Sequence, residues 1–239
     1  MTAGADVGAR LAELAARYGL PAAAEERLAA LLDLVAAEPA AITTVRDPGE
    51  GVDAHVADSL VALDLPAVRA ARRAADLGSG GGFPGLALAI ALPGTRVALV
   101  ESMGRKCAFL AGAVSELALD NVEVVNARAE AWEEGLGAHD LVVARALAPL
   151  PVLVEYAAPL LAPGGLLVAW KGRLEPAEAA DGRAAASVLG MAEPEAMPVE
   201  PFAGARGRYL YLSSKVSPTP ARYPRRPGMA RKRPIRASG

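Results

Sequence analysis

Apolar positions in the first third of the chain recur at three- to four-residue spacing. Leu11, Leu14, Ala15 and Tyr18 share one helical face, and Gly19 with Pro21 closes that stretch. Residues 25–37 repeat the pattern with Leu28, Leu31, Leu32 and Val35, and Pro39 follows. Val52, Val56, Leu60 and Leu63 predict a third helix over 51–65. The chain to about Arg69 therefore reads as a helical cap, residues 1–70. The period then changes. Short β-rich or apolar runs stand at 74–77, 96–100, 122–126, 140–144 and 166–170, the last entered through Pro163-Gly164-Gly165. Helical patterns at 85–92 and 105–117 separate the first three, and 209–212 reads as an edge strand. This alternation predicts an α/β domain over 71–214, doubly wound, with a mostly parallel sheet and helices on both faces.

Composition narrows the class. At 53% hydrophobic and 22% charged, the chain is not a disordered polypeptide. The positive mean hydropathy of +0.26 comes largely from alanine. No apolar run approaches the roughly 18 residues of a spanning helix. Residues 1–10 include Asp6 and lack a basic-then-apolar signal pattern. One cysteine, Cys107, allows neither an internal disulfide nor a Cys/His zinc cluster, and only His55 and His139 could add imidazole ligands. A reducing cytoplasm and no metal are the expectations.

Charge is unevenly placed. The chain has 25 basic and 27 acidic residues, for a net −2. Eight of the basic residues, and no acid, lie between Lys215 and Gly239. The other 214 residues therefore carry 17 basic and 27 acidic groups, net −10. A basic, proline-rich tail at 215–239 on an acidic body points to an anionic partner for the tail.

The richest chemistry lies in Asp76-Leu77-Gly78-Ser79-Gly80-Gly81-Gly82-Phe83-Pro84-Gly85. A strand ends in an acid, a glycine loop turns, and a helix starts near Pro84, a residue suited to a first helical turn. Glycines let a ligand approach the backbone, and a helix start favours negative charge. Two cofactor classes fit. Gly80-x-Gly82-x-x-Gly85 matches a dinucleotide fingerprint and would suit a nicotinamide-dependent reductase, although no catalytic Tyr/Lys pair accompanies it. Read from Gly78, the loop suits S-adenosylmethionine, with Glu101 at the second strand end for ribose hydroxyls and Glu130 after the third for an adenine amine. A third reading is a non-catalytic RNA-binding assembly factor on the same fold.

The ordered set of motifs resembles the RsmG (glucose-inhibited division protein B) family. The resemblance rests on the loop 76–85, on Glu101-Ser102-Met103-Gly104-Arg105-Lys106 with Phe109-Leu110, and on Val143-Ala144-Arg145-Ala146 and Lys171-Gly172. His55 with Asp58-Ser59 and the stretch Arg222-Tyr223-Pro224-Arg225-Arg226-Pro227-Gly228 extend it. It implies a Rossmann-like S-adenosylmethionine-dependent methyltransferase that modifies guanine N7 in small-subunit 16S rRNA. The implied cofactor contacts are Gly78, Phe83, Ala129, Glu130 and Arg145, with Glu101 where such families commonly carry Asp.

No catalytic acid or base is assigned. Guanine N7 bears a lone pair and no proton, so alignment suffices. An exocyclic-amine methyltransferase is disfavoured because no Asn/Asp-Pro-Pro-aromatic tetrad follows strand four, and the lone Cys107 disfavours cysteine addition at a pyrimidine. Arg145 holds cofactor, meets guanine O6, or pairs with an acid. His55 and Asp58, one turn apart, are either structural or face the pocket. His139 reads as a surface-loop residue, and Trp132 and Trp170 as core. The RNA-binding candidates are Lys171, Arg222, Tyr223, Arg225, Arg226, Arg231, Lys232 and Arg233, with 16S rRNA or the small ribosomal subunit as partner. A monomer is expected, and truncation at Lys215 is expected to weaken RNA binding while sparing the cofactor.

Overall fold

A computed structural model describes residues 3–39 and 42–237 of the chain. Two helices open it, α1 (Ala3–Tyr18) and α2 (Ala24–Ala37). The third predicted helix is composite. It runs through α3 (Pro48–Gly51), a π-helical turn (Val52–Ala57), α4 (Asp58–Leu60) and a 3₁₀ turn (Val61–Asp64) before α5 (Pro66–Ala70). Asp47 caps its start by accepting from the Glu50 amide at 3.0 Å, and Pro48 occupies the first turn.

The body then alternates β1 (Arg73–Leu77), α6 (Gly85–Ala91), β2 (Arg96–Glu101), α7 (Gly104–Glu116), β3 (Val122–Asn126), β4 (His139–Arg145), α8 (Leu150–Ala157), β5 (Leu161–Gly172) and α9 (Pro176–Leu189). An antiparallel pair, β6 (Glu195–Val199) and β7 (Arg208–Ser214), completes the sheet, and α10 (Met229–Lys232) lies in the tail. Strand order is β3-β2-β1-β4-β5-β7-β6. β1 to β5 pair in parallel, while β7 is antiparallel to both β5 and β6. The order reverses between β1 and β4, the crevice where open α/β sheets hold ligands.

Side chains alternate across this sheet, and each set meets a different layer. Ala74, Val97, Leu99, Leu141, Val143 and Val168 pack with α6, α7 and the apolar faces of the cap helices in one cluster. Ala75, Leu77, Ala98, Val100, Val142, Ala144 and Leu167 face α8 and α9 in another. The cap thus shares its core with one sheet face. The tail packs on the other: Ala230 is buried there, and Tyr223 and Ile235 lie against the same cluster.

Three sequence expectations need correction. His139 is not in a surface loop. It is 2% exposed as the first residue of β4, bonds the Gly135 carbonyl through Nδ1 at 3.2 Å and lies against Trp132. The strand at 209–212, expected at an edge, is interior as β7, because β6 pairs along its other side. Strand β6 is absent from the sequence pattern because its residues are largely exposed and include Pro198, a residue that a sheet accepts at its edge. The tail is not a free extended arm. Lys215 is buried, with Nζ donating to Ala158 O at 2.8 Å and Leu189 O at 3.1 Å. Among the described residues no helix is long and apolar enough to cross a membrane, and no cluster of three His, Cys, Asp or Glu could hold a metal.

Candidate active site

The loop after β1 is shaped by packing as much as by any ligand. Asp76, 1% exposed, accepts from the Gly85 amide at 3.0 Å and so ties the strand end to the start of α6. A Cβ on Gly85 would fall 2.5 Å from Asp76 Oδ2 and 2.4 Å from Leu99, and one on Gly82 would strike Leu86 at 2.4 Å. These two glycines of the dinucleotide-like fingerprint serve the helix–sheet contact. Gly78, with φ of +70°, lines the neighbouring cavity. Burial pushes the Asp76 carboxyl up to about 7, against the pull of the Gly85 amide. Pro84 stands at the cap position and Gly85 begins the helix, as the pattern over 85–92 predicts.

A cavity of about 420 Å³ opens at the C-terminal ends of β1 to β4. Gly78, Glu101, Ala129 and Glu130 line it, as do Met103, Lys106, Ala146, Leu147, Tyr156 and Arg231, which the sequence pattern does not assign to the cofactor. Glu101 is 6% exposed and staples the loops that frame this space. Its Oε2 accepts from the Gly80 amide at 3.2 Å and its Oε1 from the Met103 amide at 2.8 Å. Each oxygen retains a further lone pair for a hydroxyl donor. Glu130 lies in the short 3₁₀ turn Ala129–Ala131 and accepts from the Gly228 amide at 2.7 Å. Acids after two successive strands, around a space that Gly78 also lines, match the needs of a ribose and an amine-bearing base.

Two side chains expected at the cofactor are not among those lining this cavity. Phe83 is 6% exposed and stacks on His55 at 4.6 Å and 13°. Arg145 leaves β4 toward the cap, where Nη1 donates to Asp58 Oδ2 at 2.8 Å and to Ala54 O at 3.1 Å. Its Nη2 lies 3.3 Å from His55 Nδ1. Asp58 uses its second oxygen to accept from Arg208 Nη1 at 2.8 Å, and its carbonyl accepts from the Trp170 indole at 2.6 Å. Arg145 is thus an ion-pair partner, and the π-helical turn brings His55 and Ala54 to it. His55 also meets the Val45 carbonyl through Nε2 at 2.9 Å, and burial pushes its pKa down, keeping the ring neutral near pH 7. Apart from Arg145, sequence spacing joined these groups only as the pair His55 and Asp58, because residues near 55, 83, 145, 170 and 208 meet in space alone.

This cluster borders a second cavity of about 480 Å³ lined by Asp58, Arg145, Trp170, Lys171, Arg206 and Arg208 among others. Its lining carries four cations and one acid, and with Glu178 against Lys171 the charges still sum to a net positive. Ala146, held at φ of +53°, lines both cavities. Lys171 sits here as a paired group, with Nζ 2.8 Å from Glu178. A third cavity, lined by Arg27, Pro93, Asn121 and His139, lies at the opposite, N-terminal ends of the strands.

The tail candidates divide. Arg225 grips the buried Glu155 through Nε at 2.6 Å and through Nη2, so its charge is spent inside the protein. Tyr223 is flanked by the Arg222 and Arg225 guanidiniums, 5.3 and 5.7 Å from its ring centre, and packs on the core. Arg231 bonds the Leu147 carbonyl at 2.8 Å at the cofactor-sized cavity. Arg222, Arg226, Lys232 and Arg233 are exposed.

Known proteins resemble this chain in sequence and in fold. Residues 25–200 match the family described as GidB, rRNA small subunit methyltransferase G. The chain belongs to this family. It is 44% identical over 200 residues to a protein of Rubrobacter xylanophilus named ribosomal RNA small subunit methyltransferase G, covering 81% of this chain and 77% of that one. Among solved structures, a predicted O-methyltransferase from Agrobacterium tumefaciens is 25% identical with a TM-score of 0.53, covering 69% of this chain and 81% of that one. An S-adenosylmethionine-dependent O-methyltransferase from Thermotoga maritima has a TM-score of 0.53 at 17% identity, covering 78% and 71%, and shares the fold. The fold is the Rossmann-like one of S-adenosylmethionine-dependent methyltransferases, as the family resemblance implied.

Proposed function

We propose that this chain transfers a methyl group from S-adenosylmethionine to N7 of a guanine in small-subunit 16S rRNA. The observation that carries the reading is the pair of adjoining cavities, one lined by Gly78, Glu101 and Glu130, the other net positive, meeting at Ala146. Family membership supports the same reaction class. Gly78, Glu101, Ala129 and Glu130 would hold the cofactor, which supplies an electrophilic methyl group on a sulfonium. The size of the first cavity lies within the range typical of small-molecule sites.

The second cavity suits an RNA nucleotide. Its net positive lining favours phosphate, with Arg145 and Arg208 sharing Asp58 and Lys171 on Glu178. Trp170 and Tyr209 give it partly apolar walls. The chain's own residues orient rather than exchange protons. Both Asp58 oxygens are occupied by arginines, and His55 is engaged at Nε2 and held neutral. A nucleophile that carries no proton needs no base, so alignment is the main effect and can supply about 7–11 kcal/mol. Arg145 acts by fixing the cap against β4 and so shaping the wall between the cavities. Arg222, Arg226, Lys232 and Arg233 extend the cationic surface toward RNA backbone. A monomer acting in the cytoplasm, where ribosomes are assembled, fits this role.

The test supplies labelled S-adenosylmethionine with naked 16S rRNA, a partial assembly particle or the whole small subunit. Products are mapped by cleavage at N7-methylguanine. Label at guanine N7 in one substrate is expected; no label in any of them overturns the proposal.

A further inference from the structure

The tail reaches the cofactor-sized cavity with two groups that neither the glycine loop nor the strand-end acids supply. The Gly228 amide donates to Glu130 Oε1 at 2.7 Å. Three residues on, Arg231 lines the cavity beside Tyr156 and donates to Leu147 O at 2.8 Å. Gly228 has φ of +84°, a conformation that suits glycine and aims this amide at the carboxylate. The segment is fastened on either side. Arg225 holds Glu155, Ala230 is 3% exposed in the core under α8, and the Ala237 amide donates to Asp181 at 2.9 Å.

We propose that residues 228–231 are a wall of the cofactor site and recognise its purine end. Gly228 fixes one oxygen of Glu130, leaving the other to accept from an exocyclic amine. Arg231 covers the same end and excludes water from it. The inference rests on the reading of this cavity as the S-adenosylmethionine site. Its physical basis is preorganisation. A glutamate free to rotate must be ordered when the ligand arrives, whereas one already bonded to a fixed amide has lost that freedom on folding. The tail therefore serves the cofactor through its inner face while its outer face carries Arg226, Lys232 and Arg233. This reverses the expectation that removing the tail spares cofactor binding.

The test is calorimetric titration of S-adenosylhomocysteine, and of its hypoxanthine analogue lacking the amine, into the full-length protein. The same ligands are titrated into Arg231→Ala and into a chain ended after Pro227, which keeps the Arg225–Glu155 pair. Wild type is expected to favour adenine over hypoxanthine. Both variants should bind S-adenosylhomocysteine about tenfold more weakly, a shift typical of losing one charge-assisted or preorganised contact. The shortened chain should also lose part of the preference for adenine, which a general loss of stability would not do. If the shortened chain melts too early to titrate, Arg231→Ala, a change at an exposed residue, decides the matter through its affinity. Wild-type affinity and preference in the variants overturn the proposal. Failure of the wild type to bind S-adenosylhomocysteine refutes the underlying reading of the cavity instead.

Discussion

Arg225→Ala separates two accounts of the basic tail. If Arg225 served RNA, its removal would lower RNA affinity and leave stability alone. The structure places it on Glu155, whose side chain is 2% exposed, with Arg225 itself at 24%. Two charge-assisted bonds join them, and Nη2 also holds the Arg233 carbonyl at 2.9 Å. Removing one partner of a buried pair leaves an uncompensated charge and costs about 3–5 kcal/mol. For a chain of this size about 2–4 °C of melting temperature accompanies each kcal/mol, so a fall of roughly 6–20 °C is expected. Adding Glu155→Leu removes the stranded carboxylate and should restore much of the loss, making the double variant more stable than Arg225→Ala alone. Urea denaturation followed by circular dichroism measures both, with thermal melts as a check. An Arg225→Ala variant within about 1 kcal/mol of wild type, or a double variant worse than the single one, would refute the reasoning.

Three further outcomes follow from the same structure. Asp76 carries a folded pKa of about 7 against an ordinary 3.8, so between these values the native state keeps a proton that the unfolded chain releases. Its contribution to stability therefore falls as pH rises through that window and is level above about 7, and Asp76→Asn should flatten the fall in urea titrations across about pH 4 to 7. Gly85→Ala would put a methyl 2.4 Å from Leu99 and 2.5 Å from Asp76 Oδ2, and should cost about 1–3 kcal/mol and weaken S-adenosylhomocysteine binding in calorimetry. Normal affinity in that variant would show that the loop tolerates displacement. Neutralising Arg222, Arg226, Lys232 and Arg233 together should lower the salt dependence of RNA binding by up to about 3 in log–log slope, taking ~0.7 per single-stranded phosphate contact. An unchanged slope in fluorescence anisotropy would remove the tail from the RNA interface.

Much of the architecture was legible because local patterns and global packing agree. The strands at 74–77, 96–100 and 122–126 are uniform enough in composition to mark a parallel sheet, and the glycine loop sits where β1 must hand over to α6. Glu101 and Glu130 were readable by their position at successive strand ends. β6 was not readable, since an exposed edge strand has no buried face to impose alternation. His139 misled for a related reason: a polar residue beside Asp140 looks like a turn, while its burial is set by Trp132 and by β5 beside it.

The charge of the tail shows the division most plainly. The sequence by itself determined the α/β alternation, the loop chemistry and the presence of eight cations after residue 214. Only the tertiary structure decided what those cations do. Lys215 is buried among carbonyls, Arg225 is committed to Glu155, and Arg231 lies over the cofactor-sized cavity. In the same way Asp58 and Arg145, 87 residues apart, became one ion pair. Charge counts are additive along a chain, whereas the energy of a charge depends on what desolvates it and what faces it. Those neighbours come from distant segments and exist only once the sheet, the cap and the tail have closed on one another.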